Sequence, residues 1–393
     1  MNNGNVLISG AGVAGPSLAY WLHRSGFTVT VVERAPAPRG GGQAVDFRGP
    51  AHLGVLERMG VLDEIRRHRT RMGRQSVVDA TGRRLVDLPA EFTGGDVEIE
   101  RGELVRILHD ATRGNAEYVF GDRVTSLEQT PGGVDVTFER AGPRTFDLVV
   151  GADGLHSGIR ALAFGPDSRF LHYLGHCFAS FTVPNHLGLR RTALGYCVPN
   201  RGAAIAATGD PDVARAILVF AAPDAGYDRY DLQQQKELLA ETYGDVGWEV
   251  PRLLAALPDT TDLHFDSISR VDLDRYSTGR VVLLGDAGYG AALGGQGTGL
   301  AVVCAYVLAT ELAAARGDHR VAFERYERRI RGYATECQKG AARVGPFFAP
   351  PTRAAIWRRN QLYRVLSSRA GSGFFRWLGA RAASAIELDR AAA

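Results

Sequence analysis

Gly10, Gly12 and Gly15 stand at the spacing GxGxxG, where glycine serves chemistry by having no side chain. The first permits a tight turn, the second lets backbone approach a pyrophosphate, and the third lets a helix pack closely on a strand. Ala14 sits where that helix opens, and backbone N–H groups there attract phosphate charge. Glu33 lies 23 residues after Gly10, where a carboxylate meets ribose hydroxyls, and Arg34 follows it. An acid at that place disfavours a 2′-phosphate, so the tightly held dinucleotide is FAD or NAD rather than NADP. The alternative, a turn that binds nothing, leaves Glu33 without a task.

Two further stretches carry groups of the same kind. DLVVGADGLHSGIR (147–160) holds Asp153, Ser157 and Arg160 after an apolar run. GDAGYGAALGGQGTGL (285–300) follows RVVLLG and holds Asp286, then Gly295, Gly297 and Thr298. An acid placed directly after buried strand residues is costly unless it finds a partner. Arg101, in IERGELVRIL, has two readings from pattern alone: it reaches a bound ligand, or it pairs with Glu98, Glu100 or Glu103. Arg160 likewise either serves its motif or lies on the surface.

These residues need rigid elements behind them. VLIS (6–9) reads as a buried parallel strand, the next segment as a helix with Leu18 and Leu22 on one face, and FTVTVVE as a second strand ending at Glu33. The apolar runs before Asp153 and Asp286 read as further strands. Three strand-end turns then meet at the carboxyl edge of one sheet, where open α/β folds bind ligands. Elsewhere, SVVDATGRRLVDL (76–88) predicts a hairpin around Thr81-Gly82. HCFASFTV (176–183), TALGYCV (192–198), AAIAAT (203–208) and ARAILVFAAP (214–223) predict an antiparallel sheet, covered by the helix DLQQQKELLAETY (231–243). Alternation puts His176, Phe178, Ser180 and Thr182 on one face and Cys177, Ala179, Phe181 and Val183 on the other. The first set is either a pocket wall or a solvent-facing side. Tyr196 and Phe220, on neighbouring strands, are further pocket candidates.

GxGxxG near the start, GADGxxSxxR in the middle and GDA…GQG late in the chain resemble the class A, para-hydroxybenzoate hydroxylase-like flavoprotein monooxygenases. Within these the chain is similar to the tetracycline-modifying flavin monooxygenase group. GGGQAVDFRGPAHLGVLERMGVLDEI (40–65) and IERGELVRIL (99–108) add to the match, which spans essentially the whole chain. The resemblance implies an α/β fold: a Rossmann-type FAD-binding domain from 1–70, 98–165 and 270–340, an inserted antiparallel β-sheet substrate domain from 71–97 and 166–269, and C-terminal helices in 341–393. It implies tightly bound, non-covalent FAD held by Gly10, Gly12, Ala14, Gly15, Glu33, Arg34, Arg101, Val124, Asp153, Asp286, Gly295, Gly297 and Thr298. Asp153 and Arg160 belong to the motif linked in this family to FAD and pyridine nucleotide. Asp286 would bond the ribityl chain, and Gly297 and Thr298 would offer N–H groups to the flavin N1–C2=O edge. A helix starting there aims its positive end at the charge of reduced flavin.

The implied activity is that of an FAD-dependent monooxygenase. NAD(P)H visits transiently as co-substrate, and a flavin C4a-hydroperoxide delivers one oxygen atom to a bulky aromatic or polyene small molecule by hydroxylation or epoxidation, in antibiotic or secondary-metabolite tailoring. Since the cofactor carries the hard chemistry, neither a nucleophile triad nor a metal is expected. His172, His176 and Tyr196 are candidates for a general base by position only. The sequence departs from the family in one place: the proline usual between GDA and GxG is missing, and glycine replaces stiffness with freedom. That departure keeps an alternative open, an oxidase or dehydrogenase of the same fold without oxygen insertion. Flavin-dependent halogenase is disfavoured, as the chain has no WxWxIP stretch.

Composition bounds the rest. The 393 residues suffice for two domains, and a net charge of +3 argues against nucleic acid. Only Lys236 and Lys339 are lysines among 46 basic residues, which reads as coding bias rather than phosphate recognition. Four cysteines without metal spacing, and no basic n-region, fit a reduced cytoplasmic protein, monomeric or weakly homodimeric, acting on a small molecule and O2. Leu293–Ala315 passes a length test for a membrane span, with Glu311 its one charge, but reads better as a buried helix. The arginine-rich tail, with FFRWLGARAASAIEL, is either a membrane-surface helix or a helix covering the domain interface.

Overall fold

The unbroken apolar runs become parallel strands buried on both faces. A computed structural model describes residues 4–88, 95–223, 226–290 and 297–367. Its first sheet has the spatial order β17 (Ser277–Thr278), β18 (Val281–Leu283), β11 (Leu148–Gly151), β1 (Asn5–Ser9), β2 (Thr28–Glu33) and β7 (Glu117–Phe120). All pairings are parallel except the β17–β18 edge, with Val6 opposite both Val29 and Leu148. The open order, with β1 central, brings the ends of β1, β11 and β18 to one edge.

One face of this sheet is covered by α1 (Ala14–Arg24) and α9 (Gly297–Ala314). The other is covered by the small antiparallel sheet β8 (Val124–Thr130), β9 (Gly133–Phe138) and β10 (Arg144–Phe146), together with α5 (Gly158–Ala163). Helix α9 shows no amphipathic stripe because every side of it is used. It packs on α1, on α2 (Gly49–Arg58) and on α10 (His319–Phe348), and Val302 through Leu308 are all buried. Among the described residues it is the one helix long and apolar enough to cross a membrane, and it is a core helix. The pair β3 (Ala44–Phe47) and β6 (Val97–Glu100), with α3 (Leu62–Arg67) and α4 (Arg101–Asp110), completes this half.

The second large sheet runs β16 (His264–Val271), β12 (Leu171–Pro184), β15 (Val213–Ala221), β14 (Arg201–Ala207), β13 (Ala193–Val198), β4 (Gln75–Val78) and β5 (Arg84–Leu88). It is antiparallel apart from the β13–β4 joint, which is parallel. The expected hairpin closes on Gly82 at φ +82°. Cys177, Ala179, Phe181 and Val183 face a core sealed by α6 (Leu232–Tyr243) and α7 (Val250–Ala256). Helix α6 starts where the Asp231 side chain accepts the Gln234 N–H. The opposite face is covered as well: Phe178 is 5% and Ser180 1% exposed, so the solvent-facing reading of that face does not hold. Helix α10 reaches across to it, and α11 (Arg353–Leu366) packs on β5 and β13. FFRWLGARAASAIEL lies outside the described residues.

Candidate functional site

Each glycine of the first turn meets a different demand. Gly10 has φ +109°, and a Cβ there would fall 2.4 Å from the Ala152 carbonyl oxygen. A Cβ on Gly15 would lie 1.9 Å from the Gly10 oxygen, so α1 rests directly on the turn. Gly12 is different: its missing side chain faces a cleft whose nearest group is the Arg101 guanidinium, 4.0 Å away. Helix α1 opens at Ala14 without a side-chain cap, which leaves its first N–H groups for a ligand. Glu33 braces this turn by accepting from Ala11 N–H and Ala35 N–H, both at 2.9 Å. Arg34 lies with its guanidinium 5.6 Å from the Tyr230 ring centre, and that ring is exposed.

Arg101, the first residue of α4, makes no ion pair among the described residues. The acids that pattern offered it are engaged elsewhere. Glu98 accepts from Thr70, Glu100 from the Gly209 N–H, and Glu103 from Arg106. Its charge acts on Asp286, the first residue of the short helix α8 (Asp286–Tyr289). The Asp286 carboxylate opens onto the cleft yet is walled by protein on most sides. That enclosure raises its pKa, and Arg101 opposes the rise. Gly297, opening α9, faces the same carboxylate, since a Cβ there would sit 3.6 Å from Asp286 Oδ1. Thr298 is half-buried beside it, and Gly295 lies outside the described residues, as does most of the proline-free stretch. Gly12, Arg101, Asp286 and Gly297 thus line one cleft at the sheet edge.

Asp153 and Arg160 work within the protein. Asp153 accepts from Ser157 Oγ at 2.5 Å and from the Ile159 N–H at 3.1 Å, tying the turn to α5, and burial pushes its pKa up. Arg160 is wholly buried, which corrects the surface reading. It donates to the carbonyls of Ala287 (2.8 Å) and Leu155 (2.7 Å) and to Asp167 (2.6 Å), lashing the second motif to the third. Val124 has its side chain in the core between the six-stranded sheet and the three-stranded sheet.

The pocket candidates divide by face. Phe178 packs with Val219, Ile268 and Ala349, and the His264 ring meets it edge-on at 6.0 Å. His176 shares this face beneath α10, with Nδ1 near the Leu174 oxygen at 3.1 Å. Phe220 and Tyr196 lie on the other side. Phe220 sits in the helix-covered core against Tyr243 and Phe265, and Tyr196 faces Trp248 at 5.9 Å. They are a correction to the pocket list: strand parity places Phe220 opposite Cys177, not Phe178. His172 is exposed beside Asp272.

Pattern reading missed β16, which places His264 opposite Ser180 and Asp266 opposite Phe178. Asp266 Oδ1 takes His156 Nε2 at 3.0 Å and Tyr227 Oη at 3.1 Å. Asp167 and Asp266 together hold the His156 imidazole charged and raise its pKa to about 9; Asp266 is the direct partner, as Asp167 lies at 3.8 Å. His156 was visible in the second motif as a histidine between two glycines. Its partner was not, because HFDSISRV mixes polar and apolar residues on both faces.

Against known proteins, the family described as FAD binding domain matches residues 3–344. A flavin-dependent monooxygenase of Legionella longbeachae serogroup 1 (strain NSW150) is 38% identical over 351 residues, 88% of this chain and 90% of that protein. The uncharacterized protein Rv1260 of Mycobacterium tuberculosis (strain ATCC 25618 / H37Rv) is 43% identical over 340 residues, 85% of this chain and 91% of that one. The crystal structure of the tetracycline destructase Tet(51) superposes with a TM-score of 0.84 at 33% identity, covering 98% of this chain and 99% of that one. The cleft fits FAD on its own terms. It has a side-chain-free approach at Gly12 beside a guanidinium that is unpaired among the described residues, and a carboxylate and a helix N-terminus face each other at Asp286 and Gly297. Fold, cleft and relatives agree, and the chain belongs to the FAD-binding, class A flavin-dependent monooxygenases.

Proposed function

We propose that this enzyme uses NAD(P)H and O2 to hydroxylate or epoxidise a bulky aromatic or polyene small molecule, in tailoring or inactivating an antibiotic or other secondary metabolite. The observation that carries this reading is the cleft's two-sidedness. Gly12, Arg101, Asp286 and Gly297 form the cofactor side, and the charges of Arg101 and Asp286 reach His264 and Asp266 on the covered sheet face that carries Phe178. The similarity to Tet(51) supports the substrate class. Bound FAD would supply hydride acceptance from NAD(P)H and activation of dioxygen.

This chain's residues do the rest. Gly10, Gly12, Ala14 and Gly15 receive the pyrophosphate, with Arg101 adding charge. Glu33 and Arg34 hold the adenosine end, Asp153 stiffens the second motif, and Asp286 accepts from the ribityl hydroxyls. The first N–H groups of α9, at Gly297 and Thr298, face the isoalloxazine. Phe178 and its neighbours exclude water from the substrate side. Residues 1–70, 98–165 and 270–340 are the FAD-binding part, and 71–97 with 166–269 the substrate part. The enzyme works in the cytoplasm as a monomer or weak homodimer, with its four cysteines as thiols.

The deciding experiment follows NADH and NADPH oxidation by the FAD-loaded protein under 18O2, with tetracycline and a panel of polycyclic phenols and polyenes. The expected result is nicotinamide consumption that rises with one panel member and a product carrying one 18O. An oxidised product without label, formed without nicotinamide, overturns the proposal in favour of an oxidase.

A further inference from the structure

Behind the cofactor side of the cleft lies a buried histidine that the proposed chemistry does not use. His52, on α2, is 1% exposed and touches the first turn of α9 at Gly299. A Cβ on Gly299 would fall 2.1 Å from His52 Cε1, 2.3 Å from Nδ1 and 2.6 Å from Nε2, so the helix backbone rests on the face of the imidazole. The ring is fixed on its other sides. Nδ1 accepts the Arg48 N–H at 3.0 Å, which assigns the proton of the neutral ring to Nε2. Nε2 then donates to Tyr333 Oη, 2.5 Å away on α10, and Phe47 meets the ring edge-on. Burial first, and the Arg48 charge second, hold the imidazole pKa down to about 4, so the group is neutral across the working range. One side chain thus joins three helices at the turn that opens onto Asp286.

We infer that His52, anchored by Tyr333, is a positioning residue. It sets the height and tilt of the first turn of α9, and with them the aim of the Gly297 and Thr298 N–H groups at the flavin. The inference rests on the proposed role of those N–H groups. A wedge of this kind needs glycine at 299 and a ring that is flat and immobilised at both nitrogens. Histidine between a backbone N–H and a phenol meets that need, and an aliphatic residue of similar volume does not. Its neutrality matters too: the imidazole adds no charge of its own behind the dipole of α9.

The test compares G299A, H52Q and Y333F with the parent by far-UV circular dichroism, FAD affinity from fluorescence quenching, and midpoint potential by dye equilibration. All three are expected to keep the secondary structure. G299A and H52Q should weaken FAD binding at least tenfold. They should also cut the preference for reduced over oxidised cofactor about tenfold, which is a drop of about 30 mV in the two-electron midpoint. Y333F, which only frees the ring, should move both in the same direction by about threefold. If G299A fails to fold, the near-isosteric Y333F and H52Q decide. Affinity and potential within twofold of the parent in both would overturn the inference. G297P separates the two levels, because proline at the first helical position removes one N–H without breaking the helix. An unchanged potential in G297P overturns the aim of α9 and the wedge with it. A lowered potential there, with H52Q and Y333F unmoved, overturns the wedge alone.

Discussion

Asp286 and His156 sit near one cleft with pKa values raised for opposite reasons. Enclosure raises the carboxyl, while two carboxylates raise the imidazole. Replacing Asp286 by alanine removes a group with no packing task, so folding should survive while FAD affinity falls at least tenfold. Fluorescence of released FAD reads this directly. For His156 the sign is fixed by the shift. Its folded pKa, about 9, lies above the unfolded 6.5. Its stabilisation is therefore complete below about pH 6.5 and fades as pH rises through 9. It is also lost in acid, as the lowered carboxyls of Asp167 and Asp266 protonate. H156Q should cost on the order of 2–3 kcal/mol at pH 6 and nearly nothing at pH 10, by urea midpoints at the two pH values. A constant penalty would mean that packing, not charge, is what His156 supplies. At this scale the sequence spoke where one residue type has one use. Gly10, Gly12, Gly15 and Asp286 were readable because nothing else suits them. Asp266 was not, since an acid within a strand has no partner until the fold brings His156 to it.

At the scale of elements, the β1–α1–β2 unit separates packing from binding in two neighbouring glycines. G15A drives a Cβ into the Gly10 oxygen at 1.9 Å, so α1 must leave its strand, with a loss of about 3 kcal/mol or more. G12A meets nothing nearer than Arg101 at 4.0 Å, so its melting temperature without cofactor should match the parent. Its FAD affinity should drop, because the methyl group stands where pyrophosphate approaches. Calorimetry with and without FAD distinguishes the two, and equal behaviour would refute the division. This unit was legible because apolar period, glycine spacing and terminal acid agree. So were β12–β15, α6 and the β4–β5 hairpin. Strand β16 was not, because its two faces differ in neighbours rather than in polarity. Tyr196 and Phe220 were misplaced because alternation along one strand does not say which residues of its neighbours stand on the same face.

Across the whole molecule, α10 joins the two large sheets: it packs on α9 at one end and on β12, β15 and β16 at the other. Its Gly345 lies so close to His176 that a Cβ would fall 2.4 Å from the ring. G345A should therefore push the helix from the sheet at a cost of about 1–3 kcal/mol. Substrate KM should change more than FAD affinity, and steady-state kinetics beside FAD titration checks this. The strand order has a consequence in time. The parallel sheet takes its centre from residues 5–9, then 148–151, then 281–283, and α9 follows β18. On the ribosome the dinucleotide turn appears first, but the β1 edge waits about 140 residues for β11. The other large sheet is fully synthesised before the cradle can close. A nascent chain thus carries an unpaired strand edge through much of its synthesis, the kind of edge that invites mispairing. Gly12, Arg101, Asp286 and Gly297 can stand together only once residue 297 has been made, so a cofactor that draws on all four would be captured after both large sheets exist rather than at the first turn.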